Sequence, residues 1–304
     1  IRTMKNKKRT LKDWIFATRP WSFVVSATPV IATVSYLLWK GYGEQIDWTN
    51  AVLALVGIIF FHAAGNVFSD YYDYRNGIDS KEAFCVQTLV NGDFKPSEFK
   101  SLAYGLFFVA CVIGIIIMIR CGFPLLYIGI PGLILTLLYP KLKFIALGDL
   151  NIFVVYGILP MLGTSFCTLG AFIWDTLLLS IPIGLITVAV LHANNTRDII
   201  TDKKVGATSF AAVIGEKASM WTYIFYQWTP IVYTIVLSLL GLFPLISAIV
   251  ILGSVVALGN TKQALKYKTE GISAFNLLDM MAAKLQLVFG ILLILSFILD
   301  HFML

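Results

Sequence analysis

Charge is what this 304-residue sequence has least of: Asp, Glu, Lys and Arg together make up 13% of it, against about 25% in an ordinary soluble domain. A chain folded around one core in water is excluded on that ground. Metal-ligating residues are scarce as well, with three His and four Cys. Cys85, Cys111, Cys121 and Cys167 show no CxxC and no Cys/His spacing, which excludes a structural zinc site and haem attachment and leaves them as small apolar residues. No basic patch is interleaved with aromatics, so nucleic acid is not expected as a partner. No shift in composition marks off a soluble piece, and residues 1–304 are expected to form one domain, opened by a basic segment over 1–20.

Hydrophobic residues make up 58% of the chain, in runs long enough to cross a bilayer. Nine spans are expected, at about 22–39, 50–69, 101–119, 123–139, 149–168, 174–193, 219–240, 243–259 and 285–303. The fold class is therefore all-α, a polytopic membrane protein. The first run follows KNKKRTLK, and its length together with Lys40 marks it as a retained span rather than a cleaved signal. With the N-terminus in the cytoplasm, 21 of the 23 Lys and Arg fall in cytoplasmic segments, and only Lys40 and Arg120 fall outside. That asymmetry obeys the positive-inside rule, favours an odd number of spans, and ties the net charge of +6 to topology and anionic lipid.

Against this background two acidic clusters stand out. In GNVFSDYYDYRNGID (65–79), Asn66, Asp70 and Asp73 fall at i, i+4 and i+7, one helical face, with Asp79 further on. In NNTRDIITDKK (194–204), Asn194, Asp198 and Asp202 share a face in the same way. Both clusters close an apolar run, the second and the sixth, on the side assigned to the cytoplasm. A lone Asp at a helix end is ordinarily a solvated interfacial residue. Two such sets, each headed by Asn and followed by Arg or Lys, either are neutralised by those cations or hold a metal and a polyanion between them, and hard oxygen donors suit Mg²⁺ or Ca²⁺. Arg75, Arg197, Lys203 and Lys204 stand beside the clusters. Lys141 and Lys143 in YPKLK are topological markers unless that loop folds over the site. The longer loops, 70–100 and 194–218, are expected to cap a cavity within the membrane.

These motifs resemble the UbiA-type intramembrane prenyltransferases, over nearly the whole chain from ATRPWSF (17–23) through TSFAAVIG (208–215) to AAKLQLVFGILL (282–293). The resemblance implies nine helices around a lipid-open cavity, Mg²⁺ as cofactor, and polyprenyl diphosphate and an aromatic acceptor as partners in the membrane. It assigns metal binding to Asn66, Asp70, Asp73, Asp198 and Asp202, the four Asp being the catalytic set. Tyr139 and Lys143 match the YxxxK element between helices four and five. Diphosphate binding is assigned to Arg75, Lys143, Arg197 and Lys203, and contact with the acceptor or the allylic cation to Tyr139, Asn195 and Tyr72. Within the family, N-x3-D-x2-D-x5-D and NNTRDIITDKKVGATSFAAVIG are similar to the 1,4-dihydroxy-2-naphthoate polyprenyltransferases of menaquinone synthesis, which implies a cell (inner) membrane. Ser209-Phe210 stands where that branch has Thr-Leu, and Gln87 where many members have Arg.

The residues suit that chemistry independently. Ionising an allylic C–O bond requires charge neutralisation at the departing diphosphate, exclusion of water from the cation, and aromatic faces to stabilise it, for which Tyr71, Tyr72, Tyr74 and Tyr139 are candidates. Membrane-interface tyrosines are also ordinary belt residues. His62 and His192 offer themselves as bases for the ring proton, although helix-packing histidines are commoner. Arg19 and Asp149 read as structural or acceptor-binding. The rival expectations are the same fold with another acceptor such as 4-hydroxybenzoate, a cation transporter using its intramembrane Asp residues, and a non-catalytic prenyl-lipid-binding subunit.

Overall fold

The computed structural model describes residues 9–77, 88–204 and 206–303. Asp79, Cys85 and Gln87 lie outside them. Helix α1 (Leu11–Ala17) opens on a reciprocal cap in which the Thr10 hydroxyl accepts from the Asp13 amide while the Asp13 carboxylate accepts from Thr10. Then follow α2 (Val24–Trp39), α3 (Trp48–Arg75), α4 (Pro96–Cys121) and α5 (Leu126–Leu142). Helix α6 (Gly148–Phe153) continues through a π turn at Val154–Ile158 into α7 (Leu159–Leu169). The second half holds α8 (Ser180–Arg197), α9 (Ile199–Lys204), α10 (Phe210–Ile214), α11 (Glu216–Leu239), α12 (Ser254–Leu265), α13 (Tyr267–Glu270) and α14 (Leu278–Met303).

Eight helical stretches among the described residues are long and apolar enough to cross a membrane. They coincide with eight of the nine expected runs. The remaining run forms α11, 24 residues long, whose Gln227, Trp228 and three tyrosines lower its hydropathy. Its buried face packs on α8, with Tyr223 donating to the Leu278 carbonyl at 3.0 Å.

Three apolar clusters hold the bundle together. Tyr36, Phe243, Phe289 and Phe297 join α2, α14 and the segment before α12. Val67, Phe68, Phe99 and Phe107 join α3 to α4. Ala189, Met220, Tyr223 and Phe275 join α8 and α11 to the start of α14. Where the π turn meets α8, the two backbones nearly touch: a Cβ on Gly184 would lie 2.7 Å from the Phe153 ring and 3.3 Å from Gly157 Cα. Only glycine permits that approach.

Length positions the first acidic cluster. The 28 residues of α3 extend about 42 Å at 1.5 Å per residue, whereas the hydrocarbon layer is about 30 Å thick. The last turns, carrying Asp70 and Asp73, therefore project beyond the apolar layer while α4 still supports them.

Candidate active site

The C-terminal end of α3 meets the chain that precedes it. Asn66 donates its amide to the Thr18 carbonyl and to the Ser22 hydroxyl, both at 3.0 Å. Asp70, buried, pairs with the Arg19 guanidinium. Arg19 is held at φ 57°, ψ 59°, left-handed backbone that costs a non-glycine residue roughly 1–2 kcal/mol. Asp73 accepts from Lys143 Nζ at 2.5 Å and from the Ser69 hydroxyl at 3.4 Å. The YPKLK loop thus does fold over the site.

The second cluster is built differently from the uninterrupted helix its spacing suggests. Helix α8 ends at Arg197, and Asp198 leaves helical geometry at φ −94°, ψ 7°. The shared face survives the break because the i to i−4 bonds persist, Asp198 N–H to Asn194 O at 2.9 Å and Asp202 N–H to Asp198 O at 2.8 Å. Arg197 grips Asp198 with two bonds of 2.8 Å and reaches Asp279 of α14 at 3.3 Å. The guanidinium expected to bind diphosphate is therefore occupied by carboxylates here.

The two clusters share one charged neighbourhood. Burial, and then the negative charges of Asp198 and Asp73, push the Asp202 carboxyl up to about 6, while Lys143 and Arg197 pull in the other direction. Asp202 thus sits among groups from α3, α5 and α8. Backbone bonds staple the same loops together: Ala146 N–H to Thr208 O at 2.8 Å and Thr208 N–H to Phe144 O at 3.2 Å.

Tyr139, one turn before Lys143, lies within electrostatic reach of Asp73, Asp149, Tyr156 and Arg19. Asn195 donates to Asp149 Oδ1 at 3.3 Å, and His192 Nδ1 meets Asp149 Oδ2 at 2.7 Å. The second imidazole nitrogen donates to the Ser219 carbonyl at 3.2 Å. Fully buried, His192 keeps neither nitrogen open to an acceptor and joins α6, α8 and α11. His62 likewise lies between the hydroxyls of Ser26 (3.0 Å) and Ser22 (3.4 Å).

Other expected residues stand apart from this network. Arg75 and Lys203 are exposed at the ends of α3 and α9. Tyr72 packs against Phe68 and Tyr71, with ring centroids 4.7 and 5.2 Å away, in the α3–α4 cluster. Sequence reasoning missed Asp279 altogether. Its only signal was an acid opening the last apolar run, with no motif around it.

One helical turn inward from Asn66, His62 and Tyr156 line a cavity of about 410 Å³. Its remaining walls are almost wholly apolar, from α3, α4, α5 and α7, and include Phe61, Met118 and Leu133. The cavity lies between α4 and α5, and α5 buries little of its own surface.

The donor set suits a hard divalent cation. It consists of carboxylate and amide oxygens, the buried Asn194 Oδ1 lacks any hydrogen-bond partner, and Asp202 stands in an excess of negative charge. Among the described residues no three acidic, His or Cys side chains enclose an ion by themselves. The oxygen donors fit Mg²⁺, which is bound through one or two carboxylates with phosphate oxygens completing the shell.

A helical membrane bundle with two acid-bearing helix ends and an apolar cavity between its helices is the architecture of a membrane prenyl-transfer enzyme. Residues 28–285 match the UbiA prenyltransferase family model, and the chain belongs to that family: it is a prenyltransferase. It is 32% identical over 296 residues to the human UbiA prenyltransferase domain-containing protein 1, covering 94% of this chain and 83% of the relative. The Drosophila melanogaster homolog of that protein is 31% identical over 297 residues, with 94% and 79% covered. Among solved structures, the apo UbiA homolog from Aeropyrum pernix K1 superposes with a TM-score of 0.68 at 18% identity, covering 92% of this chain and 98% of that one. A UbiA homolog from Archaeoglobus fulgidus bound to GPP and Mg²⁺ gives 0.56 at 14% identity, covering 92% and 99%. At such identities the likeness is one of fold.

Proposed function

We propose that this protein transfers a polyprenyl group from its diphosphate to 1,4-dihydroxy-2-naphthoate, with release of diphosphate and CO₂, giving the quinol form of demethylmenaquinone, with Mg²⁺ as cofactor. The observation that supports it best is the convergence of Asp73, Asp198 and Asp202 with Lys143, at the end of the helix whose His62 lines the apolar cavity. Asp70, Asp73, Asp198 and Asp202 hold the metal, with Asn66 and the unpartnered Asn194 Oδ1 alongside. Mg²⁺ held there would supply positive charge to the departing diphosphate. Lys143 lies where it can pass from Asp73 to a phosphate oxygen. Arg197 keeps Asp198 aimed at the site, and Arg75 and Lys203, free to swing from exposed positions, meet the outer phosphate.

The tail lies in the cavity, whose apolar walls keep water from the allylic cation. Tyr139 stands between tail and diphosphate, placed to stabilise that cation through its ring face. The acceptor enters beside Asn195 and Asp149. Single-domain organisation, α11 as a ninth crossing, loops 70–100 and 194–218 as a cap, a cytoplasmic N-terminus and residence in a cell (inner) membrane belong to the same reading, supported by the distribution of Lys and Arg.

The test is purified protein in nanodiscs with one polyprenyl diphosphate and a panel of acceptors: 1,4-dihydroxy-2-naphthoate, the corresponding naphthalenediol without the carboxylate, and 4-hydroxybenzoate. Prenylated naphthoate-derived product that depends on Mg²⁺ is the expected result. Turnover of 4-hydroxybenzoate alone overturns the acceptor assignment.

A further inference from the structure

Helix α1 has two unlike faces. Inward, Trp14 packs edge-on against Phe94 with centroids 4.8 Å apart, Ala17 is buried, and Arg9 lies over the Phe94 ring while pairing with Glu98. Outward, Leu11, Ile15 and Phe16 are 75%, 49% and 53% exposed, and Phe16 rests on Trp21, itself 54% exposed, at 5.0 Å. Four large apolar side chains thus form one uncovered patch, with the exposed Lys12 among them.

The patch ends where the first membrane-crossing stretch, Pro20–Trp39, begins. It therefore continues the lipid-facing surface at the level of the headgroups. The first twelve residues carry six Lys or Arg and no Asp or Glu. An apolar helix face that follows a run of cations in the sequence is the composition of a helix that lies in the surface of an anionic leaflet.

The connection to the site is short. Thr18, which caps α1, gives its carbonyl to Asn66, and Arg19, the next residue, pairs with Asp70. We infer that α1 is an interfacial anchor for anionic phospholipid, and that its seat on the headgroups sets the position of Thr18 and Arg19 against the first acidic cluster. The occupant of the patch is the bilayer: the patch is continuous with a membrane span, and Lys12 within it and the cations that precede it in the sequence match acidic lipid.

Amide hydrogen exchange over Leu11–Ala17 tests this on the full-length protein, one copy per nanodisc, in phosphatidylcholine alone or with roughly a third phosphatidylglycerol. Exchange about fivefold slower in the anionic discs is expected, with the difference lost at about 1 M salt, where the screening length falls to about 3 Å. K12E, and separately L11S/I15S/F16S, should each reduce that protection while α3 and α4 exchange as before. Equal exchange in both lipids, or protection that needs two copies per disc, overturns the inference; the latter makes the patch a dimer contact.

The catalytic consequence rests on the proposed function. Prenyl transfer by the parent protein should rise with anionic lipid, and by L11S/I15S/F16S should not. An identical rise in both overturns the link to the site. A failed acceptor assignment leaves the exchange result untouched.

Discussion

Lys143 Nζ lies 2.5 Å from Asp73 Oδ1, joining the last turn of α5 to the last turn of α3. A lysine so close to a carboxylate proposed to hold the metal has one charge to divide between protein and substrate. K143A is expected to lower kcat/KM for prenyl transfer by about 10²-fold or more, the usual loss when a charge-stabilising donor is removed. K143R should recover only part of it, because the planar fork does not reproduce a point charge. Steady-state kinetics at saturating acceptor checks both.

The carboxylates give a sharper contrast. D70A and D198A should each abolish transfer while leaving folded protein in the membrane, as read by near-UV circular dichroism and size-exclusion elution. D70N preserves shape, so its loss would report charge alone. Full turnover in D70A or D198A removes that residue from the mechanism.

Asp202 carries a pH dependence whose sign can be worked out. With its carboxyl near 6 in the folded protein and about 3.9 when unfolded, the folded state binds more protons between those values. Metal-free stability therefore falls as pH rises through that window, and the penalty is fully present above about 6. D202N should raise the metal-free unfolding temperature at pH 7 and make little difference near pH 4. Mg²⁺ needs the ionised group, so its affinity in the parent protein should drop below about pH 6, and calorimetric titration across pH 5–8 checks this.

Two glycines in the cavity wall offer a test of tail length. A Cβ at Gly114 of α4 or Gly129 of α5 meets nothing within 4 Å, and both residues line the cavity. G129F or G114F should fold and fill the channel. Long prenyl diphosphates should then lose kcat/KM while the shortest keep it. A uniform fall across chain lengths would place the tail elsewhere.

Gly184 is the opposite case, since any side chain there collides with Phe153 and Gly157. G184A should cost about 1–3 kcal/mol through overpacking, lowering the thermal midpoint in detergent.

How much of this was legible in the sequence depends on the range of the interaction. Apolar run length is a local property, and it placed eight crossings and the long helix α11 where the structure has them. Helical spacing likewise put Asn194, Asp198 and Asp202 on one face, and backbone bonds keep them there despite the turn at Asp198. Pairings between distant segments were closed to such reading. Nothing local says that Arg19 turns left-handed to reach Asp70, that Arg197 spends its guanidinium on Asp198 and Asp279, or that His192 is locked between Asp149 and a carbonyl. The break at Asp198 was hidden too, because the i, i+4 spacing of Asn194, Asp198 and Asp202 runs straight through it.

The cavity between α4 and α5 carries a kinetic consequence. A polyprenyl chain that enters and leaves between those helices remains dissolved in the bilayer throughout, so the concentration governing turnover is its mole fraction among lipids, not its molarity in the tube. Diluting the substrate with inert phospholipid should slow the enzyme even when every aqueous quantity is held constant.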